Sequence, residues 1–172
     1  MFTTTEASSS RLADIRRLMD VAFDGGFTDD DWEHTLGGWH VVMVEDDDVI
    51  SHAAVVTRVL IAGTQPLRTG YVEGVATAKA KMGQGFGSQA MATVTEIVRR
   101  DYEFGALGTG RHSFYERHGW ERWQGPTFVQ DGDELLRTEE DDNGIMVLRF
   151  GPSEEIDLAA RLVCRSRSGD DW

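Results

Sequence analysis

The segment YVEGVATAKAKMGQGFGSQAM, residues 71–91, joins a predicted strand to a predicted helix through a loop that contains three glycines. Its first seven residues have the composition of a strand, and its last several have the pattern of a helix start. Backbone N–H groups in such a loop, together with the positive end of the following helix, can bind a pyrophosphate without a cation. A flexible strand-to-helix connection explains the loop equally well.

The glycine spacing excludes two common nucleotide-binding loops. A dinucleotide fingerprint reads G-x-G-x-x-G, but Gly83 and Gly85 are followed by Gly87 one residue too early, and Ser88 stands where the last glycine should be. No acidic residue follows a second strand at the distance that this fingerprint requires. A P-loop requires lysine and then serine or threonine after its last glycine, and the chain has no such sequence.

Hydrophobic periodicity and turn residues predict the elements around this loop. The predicted helices cover residues 8–23 with Ser10 as N-cap, 27–36, 88–100 and 111–119, and the predicted strands cover 39–63 with an internal turn, 66–77, 101–108, 120–129 and 144–150. Residues 156–172 are left as a tail. This order predicts an α+β fold, or α/β with a mixed sheet, in a single domain of residues 1–172.

Charge and composition exclude several classes of function. A formal net charge of −13, from 30 acidic and 17 basic residues, makes nucleic acid a poor partner. The charge is explained either by solubility or by attraction of a cationic small molecule. No apolar run is long enough for a membrane span, and the first ten residues lack the features of a signal peptide. We therefore expect a cytoplasmic protein that has no membrane or nucleic-acid partner.

Metal binding is also not expected. The single cysteine, Cys164, excludes an intramolecular disulfide and a cysteine-built metal site, and we expect it to be a small buried residue. The five histidines show no metal-binding spacing, so we interpret them as structural or surface residues. Trp120 and Trp123 either line a sugar site or lie in the core, and the core is the commoner place for them.

The segments on both sides of the glycine loop resemble the GNAT acetyltransferase superfamily, through VEGVAT before the loop and FYERHGW after it. The acyl-CoA loop of that superfamily is usually written Q/R-x-x-G-x-G/A. Residues 82–87, MGQGFG, match it at Gly85 and Gly87, whereas Met82 replaces the usual arginine or glutamine and removes one side-chain donor. The resemblance implies a mostly antiparallel central sheet flanked by helices, and acetyl-CoA as co-substrate. The residues that it implies for binding acetyl-CoA are Val75, Ala76, Thr77, Met82, Gly83, Gln84, Gly85, Phe86, Gly87 and Ser88.

A narrower resemblance extends over nearly the whole chain. The segments FTDDDWEHTLGGWH, GYVEGVAT, GALG, FYERHGWERWQGPT, LRTEEDDNGIMVL and the final GDDW are similar to the aminoglycoside 2′-N-acetyltransferases. This implies acetylation of an aminoglycoside amine, at the 2′ position, by a homodimer. Relatives usually carry an aspartate immediately before the FT of the second helix, where this chain has Gly26. That change predicts a different or narrower range of aminoglycosides, of which kasugamycin is one example.

The resemblance also implies catalytic and substrate-binding residues. Glu73 is expected to be the general base, acting through a water, although a glutamate in a strand is commonly just solvent-facing. Tyr115 is expected to be the acid toward the CoA sulfur, although an amphipathic tyrosine commonly just packs on its helix. The residues expected to bind the cationic antibiotic are Asp31, Gly74, Asp141, Asp142, Asp170 and Trp172. A disordered acidic tail is the alternative for the last two.

Two other functions remain open at this point. The same fold could acetylate another amine, such as a peptide, an amino sugar or a polyamine. The chain could also be a non-catalytic protein that binds acyl-CoA or sequesters the antibiotic, and the changes at Met82 and Gly26 are the features that keep this alternative open.

Overall fold

The computed structural model describes all 172 residues, 1–172. Its helices are α1 (Ser9–Ala22), α2 (Asp29–His34), α3 (Phe86–Asp101) and α4 (His112–Glu116). Its strands are β1 (Phe2–Thr3), β2 (Trp39–Glu45), β3 (Asp48–Ala62), β4 (Gln65–Thr77), β5 (Phe104–Gly108), β6 (Glu121–Arg122), β7 (Thr127–Asp131), β8 (Glu134–Arg137), β9 (Ile145–Leu148) and β10 (Leu162–Arg165). Short 3-10 helices cover Thr4–Glu6, Lys79–Lys81, Glu139–Asp141 and Gly151–Glu155. None of the helices combines the length and the apolar character that a membrane crossing needs.

The chain forms two compact units, and the first comprises residues 1–56 and 72–97. In this unit β2 pairs antiparallel with β3, and the short β1 pairs antiparallel with β2. The α1 helix is amphipathic and its apolar side is buried, as the spacing of its hydrophobic residues predicts. The buried residues of the hydrophobic cluster that includes α1 are Ile15, Leu18, Met19, Phe27, Val49 and Ala76.

The second unit comprises residues 57–71 and 98–172. Its strands follow the order β6-β9-β5-β4-β3-β10-β7-β8. The β4–β5 and β10–β7 pairs are parallel, whereas the β3–β10, β5–β9, β6–β9 and β7–β8 pairs are antiparallel. Trp120 and Trp123 are fully buried in this unit, and the ring of Trp123 meets Phe104 edge-on with centroids 6.5 Å apart. Both tryptophans are therefore core residues, as the sequence favours.

The predicted α+β fold with a mixed, mostly antiparallel sheet is confirmed. The structure differs from the predictions in local details. The N-cap of α1 is Ser8, whose hydroxyl accepts from the N–H of Arg11 at 3.2 Å, and not Ser10. The tail contains a strand, β10, that lies between β3 and β7. Cys164 lies in this strand and is buried, as predicted.

Candidate active site

Strand β4 contains a backbone irregularity at Gly74, the residue that follows Glu73. Gly74 has a φ of +55°, a left-handed conformation that side-chain-bearing residues rarely adopt within a strand. A Cβ atom at this position would lie 2.8 Å from Cγ2 of Thr35, which is closer than van der Waals contact. Glycine is therefore required here both by conformation and by space. Glu73, Gly74 and Val75 are all half-buried.

Side chains of β3 bind carbonyl groups of β4 on both sides of Val75. The hydroxyl of Ser51 donates to the carbonyl oxygen of Ala76 at 2.9 Å and lies 2.9 Å from the hydroxyl oxygen of Thr77. The Nδ1 atom of His52 lies 2.7 Å from the carbonyl oxygen of Gly74. These contacts fix the segment that the resemblance assigns to acetyl-CoA and to the substrate.

Two buried histidines of the first unit, His40 and His52, are hydrogen-bonded to each other, and the sequence did not predict this pairing. Nε2 of His52 lies 2.9 Å from Nδ1 of His40, and Nε2 of His40 lies 2.8 Å from the hydroxyl oxygen of Thr4. Burial lowers the pKa of His52 to about 3 and the pKa of His40 to about 4, so both rings are neutral near pH 7. The only sequence signal was the presence of two histidines in strands that are otherwise apolar.

The glycine loop between β4 and α3 has open space beside two of its glycines. Gly83 and Gly85 have φ angles of +76° and +89°, and a Cβ atom at either position would have no neighbour within 4 Å. The side-chain amide of Gln84 donates to the carbonyl oxygen of Ala80 at 3.1 Å. Met82 is 51% exposed.

The α3 helix begins at Phe86, so Gly87 and Ser88 lie in its first turn and not in the loop. The first intrahelical bond runs from the N–H of Gln89 to the carbonyl oxygen of Gly85 at 3.0 Å. The first N–H groups of a helix have no partner inside the helix and carry its positive end. The loop and the helix start thus present backbone donors from the residues for which the sequence predicted a pyrophosphate site.

Asp31 lies in the first unit as the third residue of α2. Its carboxylate accepts from the N–H of Thr28 at 2.8 Å, while the hydroxyl of Thr28 accepts from the N–H of Asp31 at 3.1 Å. This capping box stabilises the start of the helix. Asp24, which lies near the Gly26 position, forms an ion pair with Lys79.

Tyr115 lies in the second unit, on the short helix α4, and is buried with 7% exposure. Burial raises its pKa to about 12, and a hydrogen bond with the side chain of Thr109 and the charge of Arg111 oppose this effect. The ring of Phe114 meets the tyrosine ring edge-on, with centroids 5.0 Å apart. The phenol is therefore protonated near neutral pH.

The chain end is ordered and folds back on its own residues. Trp172 is buried, and its indole N–H donates to the hydroxyl oxygen of Thr138 at 3.2 Å. The backbone N–H of Trp172 donates to Oδ1 of Asp170 at 3.1 Å, and the N–H of Arg167 donates to Oδ1 of Asp171 at 2.7 Å. The tail is thus held by specific contacts, unlike a disordered acidic tail.

Asp141 and Asp142 are neighbours in sequence but differ in their surroundings. Burial raises the pKa of Asp141, and the nearby charges of Asp170, Glu140 and Asp171 add to the rise. The carboxylate of Asp142 instead binds the guanidinium of Arg137 and accepts from the N–H of Thr127 at 3.0 Å. The bond with Arg137 lowers the pKa of Asp142 to about 2.

Asp141 therefore belongs to a group of acidic side chains around the chain end, whose negative charges repel one another. Such a group gains from a nearby cation. The oxygens of Asp142 are already bound within the protein. No group of three or more histidine, cysteine, aspartate or glutamate side chains is arranged to hold a metal ion.

Comparison with known proteins agrees with this description. The acetyltransferase (GNAT) domain family matches residues 3–123. A GNAT family acetyltransferase from Brucella melitensis, solved in complex with acetyl-CoA, superimposes with a TM-score of 0.61 at 18% identity over 86% of each chain. A GCN5-related N-acetyltransferase from Kribbella flavida gives a TM-score of 0.58 at 23% identity, over 73% of this chain and 32% of that one. This chain spans about a third of the length of several larger structures that it matches.

The similarity to solved structures shows the fold, and the sequence similarity is more specific. An aminoglycoside 2′-N-acetyltransferase of Mycolicibacterium fortuitum is 39% identical over 173 residues, which cover 98% of this chain and 89% of the relative. Since the domain family matches most of the residues and this relative aligns with nearly all of them, the chain has the GNAT fold and belongs to the aminoglycoside 2′-N-acetyltransferase family.

Proposed function

We propose that the protein transfers the acetyl group of acetyl-CoA to an amine of an aminoglycoside, the 2′-amino group, and thereby inactivates the antibiotic. The observation that carries this proposal is the relationship over nearly the whole chain to an aminoglycoside 2′-N-acetyltransferase. The acidic surroundings of the chain end support a cationic substrate, because carboxylates provide acceptors for ammonium groups.

The loop and the start of α3 fit the pyrophosphate of acetyl-CoA. Gly83 and Gly85 leave open space where side chains would otherwise lie, so a phosphate can approach the backbone closely. The backbone donors of residues 83–88 would hold the pyrophosphate, and Val75, Ala76 and Thr77 on β4 would hold the acyl end. When bound, acetyl-CoA supplies an acetyl group activated as a thioester.

Three groups of this chain would act on the reacting atoms. The carboxylate of Glu73 would accept the proton of the substrate ammonium group through a water, because only the free amine is a nucleophile. The N–H of Val75 would donate to the thioester carbonyl oxygen, where negative charge develops as the amine attacks. The buried hydroxyl of Tyr115 would donate a hydrogen bond or proton to the leaving sulfur.

A thiol-release assay tests this function directly. The purified protein is mixed with acetyl-CoA and a panel of amines: aminoglycosides with a 2′-amino group, matched aminoglycosides with a 2′-hydroxyl group, polyamines, amino sugars and peptides. We expect CoA release with the 2′-amino compounds and little with their 2′-hydroxyl partners. Release only with peptides, amino sugars or polyamines would reject the aminoglycoside, and the absence of release with every amine would reject the enzyme.

Gly85→Val is expected to weaken CoA binding by about 10-fold or more while the protein stays folded, because a β-branched residue is strained at positive φ and covers the backbone donors. Gly132→Val is the matched control. Gly132 also has positive φ, +54°, and open space around its Cβ position, but it lies in the turn between β7 and β8. Calorimetric titration with CoA measures both variants. Equal affinity in the two variants would contradict the assignment of the loop.

Asp141→Asn is expected to raise KM for the aminoglycoside by about 10-fold, the loss of one charge-assisted hydrogen bond, with little change in melting temperature. The neighbouring Asp142→Asn is the control, because it should lower stability by about 1–2 kcal/mol with a smaller change in KM. Since folding lowers the pKa of Asp142 to about 2, its contribution is present above the unfolded pKa of about 4 and is lost as the pH falls toward 2. Reversed effects on KM in the two variants would place the substrate at Asp142.

A further inference from the structure

A continuous line of hydrogen bonds crosses the interior of the first unit and ends at Gly74. The N–H of Gly37 donates to the hydroxyl oxygen of Thr4 at 2.9 Å, and that hydroxyl lies 2.8 Å from Nε2 of His40. Nδ1 of His40 lies 2.9 Å from Nε2 of His52, and Nδ1 of His52 lies 2.7 Å from the carbonyl oxygen of Gly74. Both imidazole rings are completely buried.

The direction of every bond follows from the last acceptor of the line, the carbonyl oxygen of Gly74. A carbonyl oxygen can only accept, so Nδ1 of His52 carries the proton and its Nε2 is the unprotonated nitrogen. That nitrogen accepts from Nδ1 of His40, whose own Nε2 then accepts from the hydroxyl of Thr4. Each hydrogen bond in the line thus has one donated hydrogen, and every donor points toward Gly74. The bonds therefore polarise and strengthen one another.

Burial keeps this arrangement in a single protonation state. It lowers the pKa of both rings far below neutrality, and the neighbouring His40 adds to the effect on His52. A proton added at Nε2 of His52 would place two N–H groups face to face and break the hydrogen bond between the rings. The donor that faces Gly74 is therefore fixed in position and in tautomer.

The carbonyl group of Gly74 and the N–H group of Val75 belong to the same peptide plane. No peptide bond in the chain is cis, so these two groups point in opposite directions. Gly74 has no Cβ to restrict its backbone, so the contacts around this plane contribute to fixing its orientation. A contact that fixes the carbonyl group therefore also fixes the direction of the N–H group.

We propose that His52 is a positioning residue: by holding the Gly74 carbonyl, with His40 and Thr4 behind it, it aims the Val75 N–H at the thioester carbonyl. This rests on the proposed function, in which that N–H polarises acetyl-CoA. Preorganised donors accelerate a reaction because they need no reorientation as charge develops. The buried histidine pair thus contributes to catalysis without touching either substrate.

Two amide substitutions of His52 separate positioning from simple packing. His52→Asn keeps an amide N–H near the place of Nδ1, so the donor to Gly74 is retained. His52→Gln instead places its amide near Nε2, which retains the contact with His40 and removes the donor to Gly74. We expect His52→Gln to lower kcat by about 10-fold or more with KM for acetyl-CoA within about 2-fold of wild type, and His52→Asn to keep most of the activity. The proposal would be overturned if the activities of the two variants followed their melting temperatures and did not depend on which ring nitrogen the new amide replaces.

Nuclear magnetic resonance of the free wild-type protein provides a test that needs no substrate and no variant. Two-bond correlations of the ring nitrogens should show His52 and His40 as neutral Nδ1–H tautomers throughout pH 5–8. The Nε2–H tautomer at His52 would overturn the proposal, because its Nδ1 could not then donate to Gly74.

Isotope-edited infrared spectra of bound acetyl-CoA distinguish this proposal from the proposed function. The carbonyl stretch should move to lower frequency on binding to wild type, and this shift should diminish in His52→Gln but remain in His52→Asn. The absence of any shift in wild type would count against the polarising role of Val75 itself, and with it against the inference. A wild-type shift that persists in His52→Gln would reject only the role of His52.

Discussion

Glu73→Gln is expected to lower kcat by about 10²-fold or more, because an amide can hydrogen-bond a water but cannot accept its proton. In the proposed function Glu73 is the base, and it lies half-buried in β4 next to Gly74. The acidic limb of the pH–rate profile, which reports deprotonation of the base, should flatten in this variant. CoA affinity should remain close to that of wild type, since the glycine loop is unchanged.

Removal of a carboxylate also reduces the attraction of a polycationic substrate, so the effect of charge must be separated from the effect of the base. Glu96→Gln is the matched control, since Glu96 is an exposed residue of α3 and the same charge is removed. Its kcat and pH–rate profile should equal those of wild type. A profile of Glu73→Gln that keeps the wild-type acidic limb would exclude Glu73 as the base and leave a water network or another group to accept the proton.

The long elements of the fold could be predicted from the sequence because their signals are local. The β-branched composition of these segments and the turns around residues 45–48 and 63–66 predict the bounds of β2, β3 and β4 closely. Strand β10 could not be predicted, since its four residues are a strand only through pairing with β3 and β7, which lie far away in sequence. Strand β1 has two residues and gives no periodic signal at all.

The histidine line was missed for a related reason. In the register of the β2–β3 pair, His40 lies opposite Ala54 and His52 lies opposite Val42. The two rings are therefore diagonal neighbours on one face of the sheet, at a separation where long side chains meet. This juxtaposition depends on the register, which the spacing of two histidines in a sequence does not determine.

The resemblance assigns aspartates to the substrate site but does not distinguish between neighbouring ones. It named Asp141 and Asp142 together, and the sequence gives no ground for separating them. The structure separates them through a non-local partner, because Arg137 and Thr127 bind the carboxylate of Asp142. The binding of antibiotic by Asp31, Gly74, Asp141, Asp142, Asp170 and Trp172 stays a prediction.

Tyr115→Phe is expected to lower kcat by about 10²-fold, because it removes only the hydroxyl that faces the leaving sulfur in the proposed function. Burial raises the pKa of this phenol to about 12, above the ordinary thiol pKa of about 8.5. Complete proton transfer from the resting phenol to a thiolate is therefore uphill, and we expect hydrogen-bond donation to the developing thiolate to provide most of the effect.

The pH dependence distinguishes this variant from Glu73→Gln. A group whose pKa is about 12 stays almost fully protonated from pH 6 to pH 9, so its removal should lower kcat by the same factor over this range and leave the shape of the profile unchanged. Tyr102→Phe is the matched control, since it removes a hydroxyl that lies 3.2 Å from the hydroxyl of Thr57, and it should retain wild-type kcat. Full activity in Tyr115→Phe would mean that solvent stabilises the thiolate, and Tyr115 would then be a packing residue of α4.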